Sequence, residues 1–106
     1  MIDQQFETVT YAIIDELDKL ATKGSPRQIA DFLAARRVTG RHSSTSCPVH
    51  TYIQRVAKAT KFVVMTYGTV IHGGDMRFIR VANPLAISDF IHHFDRSLFP
   101  ELERRS

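Results

Sequence analysis

The sequence predicts a mainly helical α+β domain. Three observations carry that prediction: apolar residues recur at spacings of three and four in four separate stretches, a β-rich stretch interrupts them between residues 61 and 82, and Ser25, Pro26 and Gln28 form a local helix-start signal. At 106 residues the chain has the size of one compact domain, 1–106, with room for one hydrophobic core. Its 43% hydrophobic and 24% charged residues exclude the disordered and fibrous classes, so folding is expected.

The first helix is expected within residues 1–24. Phe6, Val9, Ile13, Leu17 and Leu20 make its stripe, Thr10, Ile14 and Ala21 widen it, and the acids lie on the other face. Gly24 ends it where a left-handed residue is favoured. A helix-loop-helix unit follows over 25–60. Ser25 is the N-cap, Pro26 the first helical residue and Gln28 the third, which completes a capping box, and Ile29, Phe32 and Leu33 share the apolar face. Val38 to Cys47 lacks periodicity and reads as a loop. Ser46 is the expected N-cap of the next helix, Pro48 lies in its first turn, and Val49, Tyr52, Ile53 and Val56 repeat at three and four. That pattern turns His50, Thr51, Gln54, Arg55 and Lys58 outward.

The stretch 61–82 reads as a β-hairpin. Gly73-Gly74 supplies a two-residue turn that pairs His72 with Asp75 and Val70 with Arg77. Asn83-Pro84 stops the strand and opens a last helix over 84–99, with Ile87, Phe90, Ile91, Phe94 and Leu98 as its stripe. Glu101 to Ser106 reads as a frayed tail.

Charge is unevenly spread. Residues 1–24 are net −3, residues 25–81 net +7 and residues 82–106 net −1. A basic segment between acidic ones suits a polyanion-binding face, and it equally suits a surface whose charges cancel in three dimensions. Apolar runs such as Phe62–Met65 stop at four residues, so no membrane span is expected. The single Cys47 forms no intramolecular disulfide, and with no leader pattern at the N-terminus the expected setting is cytoplasmic.

Catalytic and cofactor signals are weak. Cys47, His50 and His42 fall one ligand short of a structural zinc set, and Asp89, His92, His93 and Asp95 straddle different faces of one helix, so no metal is expected. Gly68 and Gly73-Gly74 lack the spacing of a phosphate-cradling loop, and no paired carboxylates lie in the basic half. The reading is therefore not an enzyme, with no cofactor.

The order helix, helix, loop, helix, two-stranded ribbon, helix resembles the winged helix-turn-helix domains of small bacterial, archaeal and phage regulators. The resemblance covers almost the whole chain and rests on element order, the capped start at Ser25 to Gln28 and the Gly73-Gly74 hairpin. The roughly nine residues between the central helices exceed the three or four of a tight helix-turn-helix. Such a fold implies double-stranded DNA as partner, with the third helix in the major groove and the hairpin as a wing. His50, Thr51, Gln54 and Arg55 would then read bases. Arg36, Arg37, Arg41, Ser43, Ser44, Ser46, Lys58 and Lys61 would hold the DNA backbone. His72, Gly73, Gly74, Arg77 and Arg80 would form the wing, Arg80 having a salt bridge to the acids of the first helix as its other reading. The stripes of the first and last helices suggest a homodimer through Phe6, Ile13, Ile87, Phe90, Ile91, Phe94 and Leu98, or else packing of those helices on each other. The expected function is sequence-specific DNA binding in transcription regulation; the alternative is a protein-interaction module, such as a polymerase- or replication-associated subunit, on the same fold.

Overall fold

The structure, a computed structural model, describes residues 4–59, 61–73 and 77–104. Among them are four α-helices and a three-stranded antiparallel sheet, an α+β arrangement that is mainly α: α1 (Gln4–Ala21), α2 (Pro26–Ala35), α3 (Pro48–Ala57), β1 (Phe62–Val64), β2 (Gly68–His72), β3 (Phe78–Ala82) and α4 (Leu85–Asp95), then a short 3-10 turn at Pro100–Leu102. No helix among the described residues is long and apolar enough to cross a membrane.

The first two helices form for local reasons. Ile13, Leu17 and Leu20 are buried along one stripe of α1, while Lys19 on the opposite side bridges Asp15 at 3.0 Å and Glu16 at 3.5 Å. Gly24 follows with φ 116°, and a side chain there would collide with Gln28. Gln28 is held in that place by the capping box: its backbone N–H donates to Ser25 Oγ at 3.3 Å, and its Oε1 accepts from the Ser25 N–H at 2.9 Å.

The start of α3 differs from expectation by one residue. Cys47, not Ser46, is the N-cap, its Sγ accepting the His50 N–H at 3.4 Å. Pro48 dictates this, because the residue before a proline is driven to extended backbone, as the Cys47 ψ of 163° shows. The preceding loop is pinned rather than loose. Gly40 donates to the Leu102 carbonyl and accepts from the Arg104 N–H, both at 2.8 Å, and a Cβ at Gly40 would lie 2.4 Å from the Pro48 nitrogen. These bonds also correct the expectation of a frayed tail: Leu102 is fully buried and residues 100–104 are tied to the loop. Residues 105 and 106 lie outside the described residues.

The β-region is a three-stranded meander in the order β1-β2-β3, not a lone hairpin. The expected register is wrong. Val70 pairs with Arg80 and His72 with Phe78, so residues 73–77 connect the strands in place of a two-residue turn. The offset from expectation is three residues, an odd number, and it exchanges the two faces of β3. The expected pairing would turn Arg80 toward the core. The observed one puts Ile79 and Val81 beside the buried Ile71 and Thr69, and leaves Arg80 exposed. Gly74 and Asp75 of the expected turn, and Met76, expected to open the second strand, lie outside the described residues, whereas Gly73 lies against the Phe6 ring of α1.

The core joins α1 to α3 and α4, α2 to α4, and the inner sheet face to α3. This overturns the expected dimer surface. Ile13, Ile87, Phe90, Ile91 and Phe94 are buried inside one chain, and Phe6 packs on the same core, because α1 lays its stripe on α3 and α4, and α4 lays its own on α2 and α1. Leu98 leaves the stripe altogether: α4 stops at Asp95, Ser97 adopts φ 61°, and Leu98 is 50% exposed.

Candidate nucleic-acid interface

Three helix segments converge on one aromatic side chain. Phe32, in the last turns of α2, meets Tyr52 of α3 edge-on with centroids 5.6 Å apart. The Arg36 guanidinium, one turn further along α2, lies 3.6 Å from the Phe32 ring centroid, and Lys23 from the end of α1 reaches the same ring at 4.6 Å. A ring face attracts cations through its quadrupole, so Phe32 gathers two positive charges that would otherwise repel. Arg55 extends the cluster, its Nη1 donating to the Arg36 carbonyl at 3.3 Å. That carbonyl belongs to the C-terminal end of α2, where the helix dipole favours a cation.

From Arg55 the positive surface continues along α3. Gln54, Arg55 and Lys58 are exposed and Thr51 half-buried; their spacing, at i, i+3, i+4 and i+7, makes one continuous helical stripe. Lys58 caps α3, and Lys61 opens the strand region just beyond, exposed, with its carbonyl accepting from the N–H of exposed His72 at 2.8 Å. Among the described residues, Lys23, Arg36, Arg37, Arg41, Arg55, Lys58, Lys61, Arg77 and Arg80 enter no ion pair. The cations that do are elsewhere, Lys19 with Asp15 and Glu16 and Arg27 with Asp31 and Glu101, and the His42 ring nitrogens lie beside the Asp95 and Glu103 carboxylates. No ion pair joins Arg80 to α1 among the described residues.

His50 does not belong to this stripe. It is 4% exposed, its ring stacks on Phe62 with centroids 4.2 Å apart, and its Nε2 lies 3.0 Å from the Phe62 carbonyl oxygen. α3 is rotated toward His50 relative to the expected face, which leaves Val56 42% exposed in its stead. The cause is β1: the Phe62 carbonyl points away from β2 and requires a donor, which the imidazole supplies. A base-reading role for His50 is excluded by that burial.

The serines are also placed differently. Ser43 and Ser44, with His42, Cys47, Thr66, Ile91 and Asp95, line a cavity of about 340 Å³ at the other end of α3. An acid, Asp95, shares that wall, the Ser43 hydroxyl bonds Thr45, and the Ser44 and Ser46 carbonyls accept backbone N–H groups of Val64 and Arg41. Their polar groups close the turn before α3 and lie apart from the Phe32 cluster. Among the described residues no group of three or more His, Cys, Asp or Glu is arranged to hold a metal ion. Cys47 is buried, and that burial pushes its thiol pKa up to about 11, away from the nucleophilic thiolate.

Sequence reasoning assigned Phe32 to the core and passed over Lys23 and Tyr52 as site residues. The signal available was the i, i+4 pair Phe32 and Arg36; that Lys23 and Tyr52 complete it depends on tertiary packing. Compared with protein-family models, curated proteins and solved structures, the chain matches none.

Proposed function

We propose that this chain is a sequence-specific double-stranded DNA-binding protein of winged helix-turn-helix type, acting in transcription regulation and without catalytic chemistry of its own. The observation that carries the reading is the acid-free stripe of half-buried Thr51 and exposed Gln54, Arg55 and Lys58 on α3, continuous with the Arg36 and Lys23 cluster around Phe32. Arg55 and Gln54 supply the paired donors and acceptors that distinguish guanine and adenine in the major groove, and Thr51 supplies a methyl contact for thymine. Lys23, Arg36, Arg37, Lys58 and Lys61 are unpaired cations on its flanks and suit phosphates. β2 and β3 fill the wing position, with exposed His72, Arg77 and Arg80.

Backbone geometry supports the assignment of two of these cations. Arg37 and Lys58 occupy left-handed conformations, φ 57° and 53°, at the ends of α2 and α3, where glycine costs less. A long cationic side chain at such a position fits a contact made by its charge.

The test is selection of duplexes from a random pool, followed by anisotropy titrations of selected and scrambled duplexes at several salt concentrations. Arg55→Ala is expected to cost about 1–3 kcal/mol on the selected duplex only, and Lys58→Ala to weaken both duplexes alike and reduce the salt slope by about one. Enrichment of no sequence, or binding that neither substitution alters, overturns the proposal.

A further inference from the structure

The two edges of the sheet are treated differently. On β1 the outward groups are used: the Phe62 carbonyl accepts from His50 at 3.0 Å, and the Val64 N–H donates to the Ser44 carbonyl at 2.8 Å. β3 has no such cover among the described residues. The Gly73 N–H bonds the Arg77 carbonyl and the Asn83 N–H bonds the Tyr67 carbonyl, so by the alternation of an antiparallel ladder Arg77, Ile79 and Val81 point their main-chain groups at β2. Phe78, Arg80 and Ala82 point theirs outward, where no partner stands among the described residues. The side chains are open as well, with Phe78 64% and Ile79 36% exposed. Edges left in this state are templates for another strand.

We infer that β3 pairs antiparallel with β3 of a second copy of this chain, with Ile79 on the two-fold axis, to give a continuous six-stranded sheet. The unfilled groups are main-chain N–H and C=O, so the occupant is an extended strand, and the side chains complement their own two-fold image. With Ile79 opposite Ile79 of the partner, each Phe78 lies across from the other chain's Arg80, a ring beside a guanidinium, twice in the dimer. Phe78 then also lies diagonal to Ala82, over a groove of about 590 Å³ lined by Tyr67, Gly68, Arg80 and Ala82, whose small residues leave room for a ring. One neighbouring register, centred on Arg80, would set two guanidinium groups opposite each other, and like charges disfavour it. The inference holds whether or not the chain binds DNA.

Sedimentation equilibrium of the full chain tests the association, and a cysteine tests the register. The wild-type protein is expected to dimerise reversibly. Arg80→Pro deletes an outward N–H without touching the β2 ladder, and it is expected to weaken the dimer about tenfold or more while the melting temperature, read at a dilution where wild type and variant are both monomeric, stays unchanged. Phe78→Glu is expected to weaken it too, by removing the ring from Arg80, which keeps the test open should the proline variant fold poorly. Ile79→Cys places two thiols in a non-hydrogen-bonded pair with Cα atoms about 4.5 Å apart, within disulfide range, so mild oxidation should yield a covalent dimer. The exposed control Tyr11→Cys should not, and buried Cys47 should leave the wild type uncrosslinked. A wild-type protein that remains monomeric overturns the inference. So does a dimer that Arg80→Pro and Phe78→Glu leave intact and Ile79→Cys does not lock.

Discussion

His50 and Phe62 are joined twice, by stacked rings with centroids 4.2 Å apart and by the His50 Nε2 and Phe62 carbonyl oxygen at 3.0 Å. A carbonyl only accepts, so Nε2 carries the proton. Nδ1 is buried with no partner among the described residues, and in the neutral ring it needs none. Protonation would place an N–H at Nδ1 with nothing to receive it, and burial accordingly holds the His50 pKa below its ordinary 6.5. The unfolded chain then binds a proton that the native state refuses. Stability is full above pH 6.5 and is lost as pH falls from there through the folded value. Urea denaturation at pH 7.5 and about pH 5 should show this loss, and His50→Gln, which keeps an amide donor but does not titrate, should show less of it.

Cys47 makes a second consequence of burial measurable. With its thiol pushed up to about 11, almost no thiolate exists at neutral pH, and the sulfur is occupied as the cap of α3. A thiol reagent such as a disulfide chromophore should label the native protein slowly at pH 8 and label it fast in denaturing urea. Rapid native labelling would show that the start of α3 opens readily.

What could be read in the sequence was what is decided locally. Ser25, Gln28 and Gly24 lie within five residues of one another, and their cap geometry follows from their own backbone and side chains. The rotation of α3 did not: His50 is turned inward by a carbonyl twelve residues away, and a polar residue gives no sign of a buried acceptor it will meet. The β3 register failed for a related reason. Gly73-Gly74 favours a tight turn locally, but Val81 packs on the core and Ile79 shares its face beside buried Ile71, and turning that face inward, with Arg80 outside, set the pairing. Of the candidate site, Gln54, Arg55 and Lys58 were visible as an acid-free spacing, whereas Phe32 as the collecting point of Lys23 and Arg36 depends on where the ends of α1 and α2 come together.

Asn83 illustrates how a residue read as a strand stop acquires a larger role. Its Oδ1 accepts the Thr69 hydroxyl at 2.6 Å and its Nδ2 donates to the Met65 carbonyl at 2.7 Å, so one amide ties the β1–β2 turn to the end of β3. Both Asn83 and Thr69 are buried. Asn83→Ala takes the amide away from the Thr69 hydroxyl and from the Met65 and Thr66 carbonyls, and is expected to cost about 2–3 kcal/mol in urea denaturation. Asn83→Asp keeps the acceptor for Thr69 but loses the donor and faces carbonyl oxygens with a carboxylate, and should be destabilised as well.

Arg37, Lys58 and Ser97 end α2, α3 and α4 in the same left-handed conformation, with φ of 57°, 53° and 61°. Glycine relieves the steric cost of that conformation, so each substitution to glycine should raise stability by about 0.5–1 kcal/mol in urea denaturation. The three should part company in DNA titrations. Arg37→Gly and Lys58→Gly each remove a cation of the proposed contact surface, so both should weaken duplex binding and flatten its salt dependence while the protein becomes more stable. Ser97→Gly changes the same backbone geometry at the end of a helix outside that surface, and should gain stability with binding unchanged. A loss of binding in all three variants would trace the effect to helix-end geometry, and a loss in none would remove Arg37 and Lys58 from the interface.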